Sequence, residues 1–206
     1  MNWKLKLKVL LSLWSRIAAT RSTAAPVTLK GFLAQYVFGL NSSAYWPVHF
    51  ASTISGAQYI RIGEGTAPGL SHGCYIFACE GGEISIGDYT IIAPNVCIAG
   101  YNHSVLDYQK SEVKGKVSIG KYSWIGANAV VLPGVVLGDH TVVAAGAVVT
   151  RSFPDGYCVI GGNPAQLLKE IPPKDCIEFK NPRPFTGYLS SAEFKQHSSN
   201  LLAGKS

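Results

Sequence analysis

Aliphatic residues recur every six positions at Ile119, Ile125, Val131, Leu137, Val143 and Val149, and the same spacing runs earlier through Ile86, Ile92 and Ile98. Six is an even number, so in extended chain these side chains share a face, whereas on a helix each step of six turns the side chain away from the one before. A helix is therefore excluded. Glycine follows the aliphatic at 63, 87, 120, 126 and 138, and small or turn-forming residues fill the gaps. A fixed short period of this kind belongs to a solenoid in which each repeat is one short strand and a turn. The sequence predicts an all-β parallel β-helix.

The breaks in the period divide the chain. A helical or irregular leader is expected over 1–45, a solenoid domain over 46–165 with its first coils from Tyr59-Ile60-Arg61-Ile62-Gly63 onward, and a C-terminal region over 166–206. The pattern stops at Ala99-Gly100 and resumes at Val117. The interval from Ile98 to Ile119 is not a multiple of six, so residues 99–116 must leave the solenoid as a loop. That loop holds Tyr101-Asn102-His103-Ser104-Val105-Leu106-Asp107. Arg151–Gly156 interrupts the repeats again. A last turn, Val159–Ala165, leads into a short helical pattern at Gln166–Ile171 and a polar tail with Pro172, Pro173, Pro182 and Pro184.

With 47% hydrophobic and 15% charged residues, 206 residues suffice for one continuous core. Five scattered cysteines without a C-x-x-C pair fit buried thiols in a reducing compartment, and a cytoplasmic protein is expected. The net charge of +6 is concentrated at the start. Residues 1–30 hold Lys4, Lys6, Lys8, Arg16, Arg21 and Lys30 and no acid, so the remainder is balanced at twelve basic and twelve acidic residues. No nucleic-acid partner is expected. The apolar run Val9–Trp14 is too short to span a bilayer. Residues 1–20 read either as a basic amphipathic helix resting on the inner face of an anionic membrane, or as a helix packed on the body or on a neighbouring subunit.

Several segments in order resemble one family. Ile86-Gly87-Asp88 leading to Ile92-Ala93-Pro94-Asn95-Val96, with Asn102-His103 in an ejected loop, looks like a catalytic segment. Trp124–Val135 looks like a signature coil, and Val143–Arg151 with Gly162-Asn163-Pro164-Ala165 like donor-binding coils. Over roughly 59–171 the chain resembles the hexapeptide-repeat acyltransferases, which include galactoside, maltose, serine and xenobiotic O-acetyltransferases and enzymes of polysaccharide biosynthesis. The resemblance implies a left-handed β-helix, acetyl-CoA as acyl donor, and a homotrimer with donor sites between adjacent subunits.

It also implies roles. Acetyl transfer from a thioester to a hydroxyl needs a base, and an imidazole, titrating near neutrality, suits the task; His103 is the candidate. Its ring needs an orienting acceptor, either Asp107 or a backbone carbonyl. A backbone N–H of Gly126 or Ala127 would meet the charge developing on the thioester oxygen, since Ala127 lacks the hydroxyl that some members carry there. Ala144, Ala145 and Gly146 would let the pantetheine arm lie against the wall, with Asn163 and Pro164 in the next coil. Arg151 and Lys169 would meet the phosphates, Gln166 standing where members often carry a cation. Trp124 either shapes the donor tunnel or lies at a subunit interface. His72, Tyr75, Asn95, Tyr101 and Asn102 are candidates for acceptor contact. A zinc enzyme would need three convergent histidines, so no metal is expected. The expected acceptor is a sugar hydroxyl, with a serine-like alcohol or an antibiotic as the alternative, and a non-catalytic scaffold as the reading from another class.

Overall fold

The computed structural model describes residues 3–180 and 184–202, with side chains placed over 7–180 and 184–198. Met1 and Asn2 of the leader, the side chains of Lys4 and Lys6, Pro182, and the last four residues of the tail lie outside the described residues. Short parallel strands stack into three sheets that form three faces of a prism. Face A holds Thr53–Ser55, Tyr75–Phe77, Cys97–Ala99, Val130–Val131 and Val148–Val149. Face B holds Ile60–Ile62, Ile84–Ile86, Val117–Ile119 and Val136–Leu137. Face C holds Ile91–Ile92, Trp124–Ile125, Thr141–Val143 and Cys158–Gly162. The chain visits A, then B, then C, and repeats.

The six-residue period acquires its meaning here. One hexad is one face and its corner, so consecutive aliphatics point inward from consecutive faces, and three hexads close a coil. Ile119 consequently pairs with Leu137, Ile125 with Val143 and Val131 with Val149, each one coil apart. Inside, Ile62, Ile86, Ile119 and Leu137 form one column, Ile92, Ile125, Val143 and Ile160 a second, and Ile76, Ile98, Val131 and Val149 a third, all buried. Each such side chain contributes about 1.5–3 kcal/mol of transfer free energy. The solenoid starts earlier than Tyr59, because Thr53–Ser55 already pairs with Tyr75–Phe77. Its short alternating run is too brief to register as a repeat.

Glycine after the aliphatic is a packing requirement. A Cβ on Gly63, Gly87, Gly120 or Gly138 would stand 2.3–2.6 Å from backbone atoms of the next coil at the B-to-C corner. Coils separated by a strand spacing of about 4.8 Å leave no room there for a methyl group.

Both ends of the solenoid are covered, as an open stack of coils requires. At the first coil lie α1 (Trp3–Leu11), α2 (Leu13–Thr20) and α3 (Leu29–Phe32), the last continued by a wide turn over Leu33–Val37. The buried Gln35 amide donates to the carbonyls of Ala44 and Trp46 at 3.0 and 2.9 Å and accepts from Val48 N–H, which pins the chain entering the first coil. The C-terminal segment returns to this end. Its helix α4 (Ser191–Leu202) packs on Ile60–Ile62, and Val9, Leu13, Val27, Phe32 and Tyr188 make a small second core. Arg16, 2% exposed, donates from Nε to the Tyr188 carbonyl at 2.9 Å with its guanidinium over the Phe185 ring, and Lys8 pairs with Glu193.

At the other end the sequence expectation fails. Ala165–Glu170 is a strand, antiparallel to Cys158–Gly162, where a helical pattern was expected at Gln166–Ile171. The last coil offers an unpaired strand edge whose N–H and C=O groups need partners. That edge outweighs the weak propensity of a six-residue run.

Candidate active site

Residues 99–116 leave between faces A and B and fold as a hairpin in which Asn102–His103 pairs antiparallel with Ser111–Glu112. The hairpin stays at the A-to-B corner: the Lys114 carbonyl oxygen lies 2.5 Å from where a Cβ on Gly134 would stand, and Lys116 reaches Glu83 at 3.7 Å. His103 is exposed, and its Nδ1 lies 2.8 Å from the Tyr108 carbonyl oxygen. A carbonyl only accepts, so Nδ1 carries the proton and Nε2 presents its lone pair outward. This is the tautomer a general base needs. Asp107 does not orient the ring. Its Oδ1 accepts from Gln109 N–H at 3.1 Å and its Oδ2 pairs with Lys110 Nζ at 3.1 Å, so the carboxylate shapes the turn whose Tyr108 carbonyl holds the imidazole. A backbone carbonyl carries no signature in the sequence, and Tyr108 was missed for that reason.

The candidate donor residues gather at a different corner, from face C to face A. In successive coils it is built by Ala93-Pro94-Asn95, Gly126-Ala127-Asn128, Ala144-Ala145-Gly146 and Gly161-Gly162-Asn163. Asn95, Asn128 and Gly146 take left-handed φ of 59°, 59° and 72°, which turns the chain there. The N–H groups of Ala93, Gly126 and Ala144 are spent on the ladder, bonding Ile125, Val143 and Ile160 carbonyls at 2.8–2.9 Å. Gly126 is thereby corrected as an oxyanion donor, because its N–H faces the next coil. Among the described residues, the N–H groups of Ala127 and Ala145 have no protein partner, and Ala145 and Gly146 are exposed. Two N–H groups one coil apart and without protein partners, on Ala127 and Ala145 with only methyl side chains, are able to bond an extended amide-bearing chain laid along this corner.

Trp124 stands beside this corner on face C, 53% exposed, between Ile91 and Val142. Asn163 and Pro164 are exposed at the turn into the last strand, while Ala165 is buried. Arg151 donates to Gln166 Oε1 at 2.5 Å and lies over the Phe153 ring at 5.2 Å. Gln166 thus holds a cation rather than being one. Lys169 lies opposite Val159 on the exposed last strand.

Of the acceptor candidates, Tyr75 and Tyr101 meet across Phe77, with ring centroids at 4.8 and 5.1 Å, and form an aromatic surface at the root of the His103 hairpin. Phe77 was missed because it reads as one more strand residue. Tyr101 immediately precedes Asn102–His103, the first strand of the hairpin. Asn102 faces Glu112 across the hairpin. Asn95 belongs to the donor corner, its amide over Gly73. His72 is exposed near His49, with ring centroids at 6.2 Å, and lies at the C-to-A corner one coil before Asn95, whose N–H donates to its carbonyl at 3.0 Å. His140 is buried and stacked between Tyr122 and Tyr157, and His197 packs on Tyr45. Among the described residues no three His, Cys, Asp or Glu side chains converge as metal ligands. The described cysteines are free thiols, and burial pushes Cys74, Cys97 and Cys158 upward in pKa, away from thiolate chemistry.

His103 and the Ala127–Ala145 corner flank opposite edges of face A. Face A, with strands of two or three residues and a corner on each side, lies between them, whereas a base must come within about 3 Å of the hydroxyl it deprotonates. On one chain His103 and the candidate donor corner thus lie on different corners of the prism.

Residues 116–151 match the family model described as bacterial transferase hexapeptide (six repeats). The galactoside O-acetyltransferase of Escherichia coli K12 is 35% identical over 97 residues, 45% of this chain and 46% of that protein. The galactoside O-acetyltransferase of Lactococcus lactis is 34% identical over 96 residues, again 45% and 46%. The chain spans about half the length of these curated relatives. Among solved structures, a galactoside acetyltransferase in complex with coenzyme A aligns over 87% of this chain and 88% of its own at 23% identity with a TM-score of 0.54, which shows a shared fold. Among the described residues no helix is long and apolar enough to cross a membrane.

Proposed function

We propose that the protein is an acetyl-CoA-dependent O-acetyltransferase built on a left-handed β-helix, working in the cytoplasm as a homotrimer and acetylating a sugar hydroxyl. The observation that carries this reading is the His103 ring, its Nδ1 proton held by the Tyr108 carbonyl and its Nε2 left free as base. In the proposed reaction Nε2 takes the proton of the acceptor hydroxyl as its oxygen attacks the thioester carbonyl. The Ala127 N–H steadies the negative oxygen of the tetrahedral intermediate. Collapse expels the coenzyme A thiolate, which takes up the proton from His103 as the ester forms. Ala145 N–H and the small residues around it bind the pantetheine arm, Trp124 flanks it, and Arg151, positioned by Gln166, meets phosphate, with Lys169 a second cation.

The separation of the two half-sites across face A favours a trimer in which His103 of one subunit faces the donor corner of the next. Sugar as acceptor class is favoured by the Tyr75–Phe77–Tyr101 surface, since flat aromatic groups pack well against sugar rings, and by the galactoside relatives.

The test is acceptor-dependent release of free coenzyme A, followed with a thiol reagent across a panel of sugars and small alcohols. His103→Ala should lower turnover by about 10²–10⁴ with coenzyme A binding retained. Mixing inactive His103→Ala subunits with inactive Ala145→Glu subunits after co-refolding should restore up to about a quarter of the activity, because that share of the shared sites pairs two intact halves. Near-normal turnover in His103→Ala, or no acetyl transfer to any alcohol, would defeat the proposal.

A further inference from the structure

We propose that the exposed stripe Leu7, Leu10, Leu11 and Trp14 is a docking face for an anionic membrane surface. Helices α1 and α2 carry two apolar faces. Val9, Leu13, Arg16 and Thr20 are at most 5% exposed and pack toward Tyr188 and the second core. Leu7, Leu10, Leu11 and Trp14 recur at spacings of three and four on another side and are 47%, 53%, 81% and 75% exposed. The leader is therefore docked on the body and still presents an unburied apolar stripe. Packing on the protein and binding a membrane are compatible uses of one segment.

Charge selects the occupant. Residues 1–30 contain six basic residues and no acid; Arg16 is buried against Tyr188 and Lys8 pairs with Glu193, while Arg21 and Lys30 are exposed. A second copy laid on the same stripe would bring two basic segments together, whereas a surface rich in acidic phospholipid complements them. Leucines with a tryptophan on one side and basic residues close by suit a helix lying in the headgroup layer, where its apolar side sinks about 5–10 Å. With no described helix long enough to cross, the contact lies along the surface. The adjoining turn repeats the pattern: Leu33, Val37 and Phe38 are exposed while Phe32 is buried in the same small core.

The experiment uses the full chain and sedimentation with vesicles of phosphatidylcholine alone or mixed with phosphatidylglycerol. The intact protein should pellet with the mixed vesicles, and binding should weaken as salt shortens the screening length from about 30 Å at 0.01 M to about 3 Å at 1 M. A Leu11→Ser/Trp14→Ser variant, altered only at exposed positions, should keep the wild-type melting temperature and lose binding by about 100-fold or more. The proposal is overturned if the intact protein stays in the supernatant at low salt, or if the variant binds like wild type. A variant that changes oligomeric state in light scattering, when the intact protein ignores vesicles, would instead assign the stripe to contact between copies. Acetyl transfer is not read, so failure here is separable from failure of the enzymatic reading.

Discussion

Gly126→Ala tests the solenoid geometry and the donor corner together. Gly126 has ordinary negative-φ backbone, so an alanine meets no conformational penalty there; the limit is space. Its Cβ would stand 2.7 Å from Ala145 N and from Val143 O, and 3.0 Å from the Ala144 carbonyl carbon, all backbone of the next coil. Relief to an ordinary contact distance moves the coils apart by about 0.7 Å or more. The movement strains the Gly126 N–H bond to Val143 O and the Gly146 N–H bond to Ala127 O, both 2.8 Å. Overpacking costs about 1–3 kcal/mol and a weakened ladder bond about 0.5–1.5 kcal/mol, so the loss is about 2–4 kcal/mol. For a chain of this size that lowers the melting temperature by about 5–15 °C. Gly39→Ala is the counterpart, with φ of +78° and open space around it, and should cost about 1 kcal/mol from backbone conformation alone. Thermal unfolding by circular dichroism compares the two. In the assay, the variant should also show a raised KM for the acyl donor, because Ala127 and Ala145 move with the coil. A Gly126→Ala protein that melts no lower than Gly39→Ala would refute the close-approach argument.

Three further outcomes follow from the same geometry. Asp107→Asn should retain most of the acetyl transfer, within about threefold, because the amide oxygen can still accept from Gln109 N–H; a loss as large as that of His103→Ala would return Asp107 to the role of orienter. Burial pushes the Glu193 carboxyl upward, but hydrogen bonds from Lys8 and Ser190 and the Lys8 charge outweigh it and hold the pKa at about 2, below its usual 4.5. A depressed folded-state pKa stabilises above the unfolded value, so this contribution is intact above pH 4.5 and fades as pH falls toward 2; in Glu193→Gln, protection of the α1 and α4 amides from hydrogen exchange should lose that acid dependence. Arg16→Ala leaves the Tyr188 carbonyl without its buried donor and should lower stability by about 2–4 kcal/mol, read as a shifted urea midpoint, while transfer by the folded fraction is unchanged.

The hexad spacing alone determined a parallel solenoid, since an even period with glycine and small residues between aliphatics admits extended chain and excludes a helix. It also exposed the ejected segment, because the interval from Ile98 to Ile119 breaks the period, and with it His103. These are properties of order along the chain. What depends on distance across coils was decided by tertiary structure. Gly126 and Ala127 are equivalent as adjacent small residues in sequence, and only the pairing with Val143 consumes one N–H and leaves the other free. Asp107 is the nearest carboxylate to His103, yet the hairpin turn brings the Tyr108 carbonyl to the ring and gives Asp107 to Gln109 and Lys110. Gln166–Ile171 carries a helical pattern that yields to the unpaired edge of the last coil. The leader's charge asymmetry was legible from composition. Its two apolar faces, one docked against Tyr188 and one exposed through Leu11 and Trp14, appear only when the C-terminal segment folds back beside it, because burial is a relation between distant parts of the chain.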